Sequence, residues 1–202
     1  MNQIVKDEEI NLLSNSNLCH KLLGGLVMEN CIINIKVSAR GLIISQAKFI
    51  NCTFNFKTKI TNYSFTSSCF ENCTFLGKMS GCEFGYRKRD NEKIRGNMIN
   101  CDFSQMLLMD GIRFLDCEMA GIKLPSFPHF TILNPLRNTN FLKDYDSASE
   151  KLKKYFDFNR EFTWLTEEDK ALTKDAVGLS LKYGVKPEEL KHILLAFDFI
   201  AM

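Results

Sequence analysis

The sequence predicts a mainly β protein, a solenoid of stacked coils followed by an α-helical extension. Three observations carry that expectation. The phrase Asn-Cys-x-(Ile/Phe) returns at Asn30-Cys31-Ile32-Ile33, Asn51-Cys52-Thr53-Phe54, Asn72-Cys73-Thr74-Phe75 and Asn100-Cys101-Asp102-Phe103. The first three copies lie 21 residues apart and the fourth 28 further on, as though 7 residues had been inserted. A fixed period in this range marks a solenoid, in which each repeat buries its apolar face only against its neighbours. Inside it runs a five-residue beat of large apolar residues, including Phe49, Phe54, Phe65, Phe70 and Phe75. A period of five is neither the helical 3.6 nor the strand's 2, so ordinary amphipathic elements do not explain it. The beat then stops at Pro125-Ser126-Phe127-Pro128, where helical patterning takes over.

Composition fits one full core. The chain has 202 residues, 45% hydrophobic and 25% charged, with a net charge of +2 that is too small to argue by itself for a nucleic-acid or membrane partner. No apolar run approaches the roughly 20 residues of a membrane span. Lys6, Asp7, Glu8 and Glu9 precede any apolar segment, unlike the layout of a secretory signal, so the expected location is cytoplasmic. Six of the eight cysteines fall in a Cys-x-apolar setting within the repeats, which reads as small buried packing residues and free thiols. No Cys-x-x-Cys occurs, and His20, His129 and His192 are far apart, so neither zinc nor any other metal or cofactor is expected.

In chain order, residues 1–25 read as an N-terminal helical cap, with Leu12, Leu13, Leu18, Leu22 and Leu23 as its apolar face and Gly24-Gly25 at its end. Residues 26–124 carry the beat. Two positions before each large residue stands a smaller or aliphatic one, such as Ala47, Cys52, Thr58, Ser68 or Cys73, with Tyr63 the bulky exception. Three five-residue sides and one six-residue side make a coil of 21, the longer side running from Ile33 to Ala39, Phe54 to Ile60 and Phe103 to Met109. Stacked about 4.8 Å apart, such coils place Cys31, Cys52, Cys73 and Cys101 in one inner ladder beside Ile33, Phe54, Phe75, Phe103 and Leu124. Met28, Phe49, Phe70, Met98 and Met119 form a second, and Asn30, Asn51, Asn72 and Asn100 line one corner.

Between Phe75 and Met98 the register is open, because either Cys82-Glu83-Phe84 or Phe84-Gly85-Tyr86 can be the repeat. An insertion at 86–97 follows, holding Arg87, Lys88, Arg89, Lys93 and Arg95 beside Tyr86. It reads as a solvated loop, and loops thrown from a rigid scaffold are where contacts concentrate. Residues 125–146 read as a connector and 147–202 as a helical domain. Its helices are expected at Ser147–Phe162, at Thr166–Tyr183 with Thr166 as N-cap and Gly184 as C-cap, and from Pro187 with Glu188 and Glu189 in the first turn.

The units at Cys52-Thr53-Phe54, Cys73-Thr74-Phe75 and Cys101-Asp102-Phe103 resemble the pentapeptide-repeat family, over about half of the chain, from Leu26 to Leu124. That resemblance implies a right-handed quadrilateral β-helix, four units to a square coil, with the central Leu/Phe and the small residue two before it pointing inward. Few second positions here are Asn or Asp, and Ala39 is small for a central residue.

No constellation for catalysis stands out: there is no glycine-rich phosphate loop, His-Glu-x-x-His or Gly-x-Ser-x-Gly. Glu167, Glu168 and Asp169 sit where a helix start attracts acids, and Cys19-His20 are neighbours that diverge on a helix. The expected role is therefore a non-enzymatic protein-binding scaffold, a bacterial immunity or inhibitor protein that neutralises a toxin, with Tyr86, Arg87, Lys88, Arg89, Lys93 and Arg95 meeting an acidic partner surface.

Two alternatives remain. The family resemblance implies DNA mimicry and gyrase protection, but 13 Lys/Arg against 9 Asp/Glu between Leu26 and Leu124 give the wrong sign for a DNA surrogate. The stretch Leu179–Leu194 resembles a helix-turn-helix, yet its second helix opens with Glu188 and Glu189, which would face phosphates. The C-terminal helices are also where a homodimer would form.

Overall fold

The structure, a computed structural model, describes residues 3–14, 19–87, 96–144, 150, 153 and 164–202. Its organising unit is the parallel stack. One five-stranded sheet is built from Gln3–Lys6, Leu26–Glu29, Lys48–Ile50, Cys69–Glu71 and Asn97–Ile99. A second stacks Glu9–Leu13, Ile32–Lys36, Thr53–Thr61, Thr74–Ser80 and Met106–Asp110. The chain is thus a mainly β solenoid with helices at its C-terminal end.

The inward ladders have the expected register. Met28 pairs with Phe49, Phe49 with Phe70 and Phe70 with Met98, while Ile33 pairs with Phe54 and Phe54 with Phe75. Rings one coil apart stack face to face, Phe54–Phe75 at 5.2 Å and Phe75–Phe103 at 4.4 Å between centroids. Rings on adjoining sides meet edge-on, as Phe70–Phe75 do at 5.6 Å and 62°. Both geometries suit the aromatic quadrupole. Cys31, Cys52, Cys73 and Cys101 are buried, and each thiol donates to the carbonyl two residues before it. The Cys52, Cys73 and Cys101 thiols also reach the Met28, Phe49 and Phe70 carbonyls, which explains a polarisable thiol where alanine would fill the space. All eight cysteines are free.

The corner asparagines are left-handed. Asn30, Asn51, Asn72 and Asn100 have φ between 51° and 55°, a conformation that asparagine tolerates better than most residues. Asn51 Nδ2 donates to Asn30 Oδ1, 3.2 Å, and Asn30 Nδ2 to Asp7 Oδ1, 3.0 Å.

That last bond exposes the first correction. Residues 1–25, expected as a helical cap, contain the strands Gln3–Lys6, Glu9–Leu13 and His20–Leu22, which make another coil. Gln3 pairs with Leu26 and Glu9 with Ile32, an offset of 23, so this coil escapes a search at 21. Unpaired backbone on the next coil favours a strand there over a helix.

The open register between Phe75 and Met98 is also decided. Phe84 stacks on Phe65 at 4.6 Å and 5°, making Cys82-Glu83-Phe84 the repeat. Met79 pairs with Ile60, so the chain takes four residues from Phe75 to Met79 where the preceding coil took six from Phe54 to Ile60. It then takes fourteen from Phe84 to Met98 where that coil took five from Phe65 to Phe70. The apparent insertion of seven is a loss of two at one corner and a gain of nine at another. The loss sits at Gly77, φ 105°, where a Cβ would lie 2.2 Å from the Phe56 carbonyl oxygen. Thr58, expected inward, is exposed because Thr53–Thr61 bows outward at this bulge. Likewise Val37, not Ala39, fills the inner space on its coil. Tyr63, the bulky exception, accepts a hydrogen bond from the Ile44 amide, 2.6 Å.

Beyond Pro125 the expected connector and helices are partly replaced by sheet. His129–Leu133 and Asp169–Asp175 pair antiparallel, and Asp169–Asp175 also pairs with the solenoid strand Ile112–Leu115. The helix expected over Thr166–Tyr183 is therefore a strand through Asp175 and a helix only over Ala176–Tyr183. Its N-cap is Asp175, whose carboxylate accepts from the Val177 and Gly178 amides, while Gly184 is the C-cap in the left-handed conformation. The exposed edge of Ile112–Leu115 drew Asp169–Asp175 into the ladder against its helical signals. A further helix occupies Pro135–Lys143, inside the expected connector, and Pro187–Leu194 is helical as expected. The helix expected at Ser147–Phe162 falls, Glu150 and Lys153 apart, outside the described residues. A second core, with Phe130, Ile132, Leu172, Leu179 and Leu190, lies behind this sheet. Among the described residues no helix is long and apolar enough to cross a membrane.

Two consequences can be measured. Phe75→Ala removes a ring sandwiched between Phe54 and Phe103, and should lower unfolding free energy by about 3–5 kcal/mol in urea denaturation. His129 is buried with Nε2 lacking a partner among the described residues, and burial pushes its pKa below the ordinary 6.5 while Asp175 opposes the shift. The unfolded chain then binds the proton more readily, so stability should fall as pH drops through 6.5, above the range where carboxylates titrate. In His129→Gln that part of the decline should vanish from the unfolding midpoint measured against pH.

Candidate functional site

The basic insertion is anchored by glycines at both ends. Gly85 has φ 88° and a Cβ there would lie 2.0 Å from the Leu115 carbonyl oxygen, while Gly96 is wedged between the carbonyls of Thr66 and Gly85. Tyr86 is half-buried, and its amide donates to the Leu115 carbonyl, 2.8 Å. Arg87 is turned back into the protein, its guanidinium 2.6 Å from Glu83 Oε1. Lys88, Arg89, Lys93 and Arg95 lie outside the described residues.

Glu83 belongs to a larger network. Arg113, on the solenoid, donates from Nε and Nη2 to the two carboxylate oxygens of Asp169, at 2.6 and 2.7 Å, and from Nη1 to Glu83 at 2.8 Å. Its guanidinium also lies 4.9 Å from the centre of the Trp164 ring. Asp169 in turn accepts from the amide and hydroxyl of Thr166. Glu167, Glu168 and Asp169, read from sequence as a helix-start cluster, thus contribute one buried carboxylate to a fork that ties the C-terminal sheet to the solenoid. Arg87 is linked to this clamp through Glu83, so its charge is already engaged.

Elsewhere a basic feature was missed. Behind the inward residues Leu12, Ile35, Phe56, Gly77 and Met106, which pair in succession, the next residue of each strand points outward. That outer column reads Leu13, Lys36, Lys57 and Lys78, all exposed; on the last strand Leu108 pairs with Lys78, which leaves the exposed Leu107 as the extra residue of a bulge beside it. The three lysines are 21 residues apart, the same period as the cysteine ladder, so the signal stood in the sequence. Lys59 is exposed beside them at the Gly77 bulge. An open groove of about 540 Å³ runs there, lined by Lys57, Lys59 and Lys78 with Phe56, Leu76 and Leu107.

These lysines make no ion pair with any described residue. The neighbouring sheet differs, since there lysines reach glutamates of the next coil, Lys6 its register partner Glu29 at 2.6 Å and Lys48, in register with Cys69, the diagonal Glu71 at 3.4 Å. Like charges on adjacent rungs repel, so the lysine column is a local electrostatic conflict. In order around the coil it lies two corners from the basic insertion.

Comparison of the chain with protein-family models, curated proteins and solved structures finds no significant match. Among the described residues no group of three or more His, Cys, Asp or Glu is arranged to hold a metal ion. Burial pushes the Cys82 and Cys117 thiols up to about 11 and about 12, the reverse of what a nucleophile requires.

The clamp and the anchor of the loop should separate on mutation. Arg113→Ala strands the buried Asp169 carboxylate and should cost about 3–5 kcal/mol in chemical denaturation. Arg87→Ala, at a partly exposed pair, should cost no more than about 1 kcal/mol.

Proposed function

We propose that this protein is a non-enzymatic binding scaffold that holds an acidic surface of a protein partner. The observation that carries the reading is the outer column of Lys36, Lys57 and Lys78, stacked on an aromatic-cored solenoid and lacking counter-charges among the described residues. A stiff framework fixes the spacing of the charges before the partner arrives, which lowers the entropy cost of association. Electrostatic complementarity of this kind raises association rates and rejects partners of the wrong sign. The sequence of the insertion between Gly85 and Gly96 adds Lys88, Arg89, Lys93 and Arg95, which lie outside the described residues.

In its finer form, the reading is a bacterial, cytoplasmic immunity or inhibitor protein of the pentapeptide-repeat type, occluding a toxin. The Cys-x-Phe units, the 21-residue register and the four left-handed asparagine corners support the repeat assignment. A toxin with an acidic face fits the charges; the basic cleft of a nuclease does not.

Co-expression tests it. The full chain should relieve growth arrest caused by the product of its neighbouring gene and co-purify with that product as a stoichiometric complex. Unrelieved arrest together with recovery of the chain alone would sink the toxin reading.

A further inference from the structure

Resting on the binding reading above, we infer that the column Leu13–Lys36–Lys57–Lys78, with the bulged Leu107 beside its last lysine, is a docking surface for one acidic α-helix, lying along the solenoid axis. Spacing is the first argument. Successive rungs of the solenoid are about 4.8 Å apart. Residues three or four apart on one face of an α-helix advance about 4.5 or 6.0 Å along its axis. Carboxylates on such a face can therefore stay level with Lys36, Lys57 and Lys78 over the whole column. An extended segment presents one face every second residue, about 6.6 Å, and falls out of step by the second lysine.

The ends of the column supply the second argument. Leu13 and Leu107 are 51% and 72% exposed, one at each end of the three lysines. Leu107, with the half-buried Leu76, lines the groove at the Gly77 bulge, which offers a seat for one apolar side chain of the helix. A helix carrying apolar residues at its two ends and acids between them complements this surface along its length. The groove is rimmed by lysine ammoniums, with no arginine fork suited to bidentate phosphate binding and no exposed aromatic among its lining residues. Its Leu76 and Leu107 side chains therefore favour a peptide over a nucleic acid.

The third argument is the unrelieved repulsion. On the neighbouring sheet Lys6 and Lys48 each reach a glutamate of the next coil, whereas here three lysines are aligned at the repeat period. A local rule broken in this way, at a cost to the folded state, is expected where a surface serves binding.

The test uses the full chain and a fluorescein-labelled helical peptide with Glu on one face at i, i+3 and i+7 and Leu at both ends. Binding is followed by fluorescence anisotropy at low and high salt. Three comparison probes are a scrambled peptide of the same composition, a proline-interrupted version and a duplex DNA oligonucleotide. The patterned helix should bind at least ~10-fold more tightly than the scrambled or proline peptide, and should weaken with salt. Lys57→Glu should reduce its affinity at least ~10-fold while leaving the unfolding midpoint unchanged or raised, because it turns two like-charge contacts into opposite ones. Leu107→Ser should weaken the patterned helix by a few-fold, with less effect on the scrambled peptide. Equal binding of the scrambled and patterned peptides overturns the inference, as does tighter, Lys57-dependent binding of the duplex or no saturable binding at all. The toxin reading stands or falls separately: a complex with the neighbouring gene product that persists in Lys57→Glu keeps that reading and removes this one.

Discussion

Register in the parallel stack governs this protein. Each inward phenylalanine sits over its counterpart one coil away, and the rings of adjoining sides meet edge to face, so that no column can slip without disturbing the next. The thiols serve the same constraint, because each is small enough to fit beside the rings and still donates to a carbonyl. Side chains repeat because the coils must be superposable, and the left-handed asparagine corners repeat because the chain must turn at the same place each time.

Superposition has a second effect on the outside. Whatever stands at one position of a coil is stacked with its equivalents, whether or not the contact is favourable. On one sheet this aligns Lys6 with Glu29, an ion pair at 2.6 Å, and the stacking stabilises. On the next it aligns three lysines, and the same geometry turns a modest net charge into a directed positive ridge. A nearly neutral composition is therefore compatible with a strongly charged surface, because the fold sorts charges by position in the coil.

The fold also absorbs irregularity without losing register. A coil of greater length at the N-terminus, a two-residue shortening at Gly77 and a nine-residue insertion after Phe84 all leave the inner columns aligned. The last two are confined to corners, where Gly77, Gly85 and Gly96 let the chain leave and rejoin. The far end is closed differently. The strand Ile112–Leu115 takes Asp169–Asp175 as an antiparallel neighbour, and the Arg113–Asp169 fork fixes that junction electrostatically.

Period, core and thiol ladder could be read from residues 26–124 alone, since a 21-residue coil dictates which side chains meet and the beat of five dictates which point inward. The helix at Pro187 and the cap at Gly184 were likewise written in local chemistry, a proline at the first turn and a glycine able to adopt positive φ. Tertiary structure decided what depends on a partner strand. Gln3–Lys6 and Glu9–Leu13 carry leucines and isoleucines that suit helix or strand, and the bare backbone of the next coil chose strand. Asp169–Asp175 was drawn from helix to sheet in the same way. The lysine column lay between these cases. Its spacing was present in the sequence, but lysines at a fixed period make a charged ridge only once the coil has stacked them without counter-charges among the described residues.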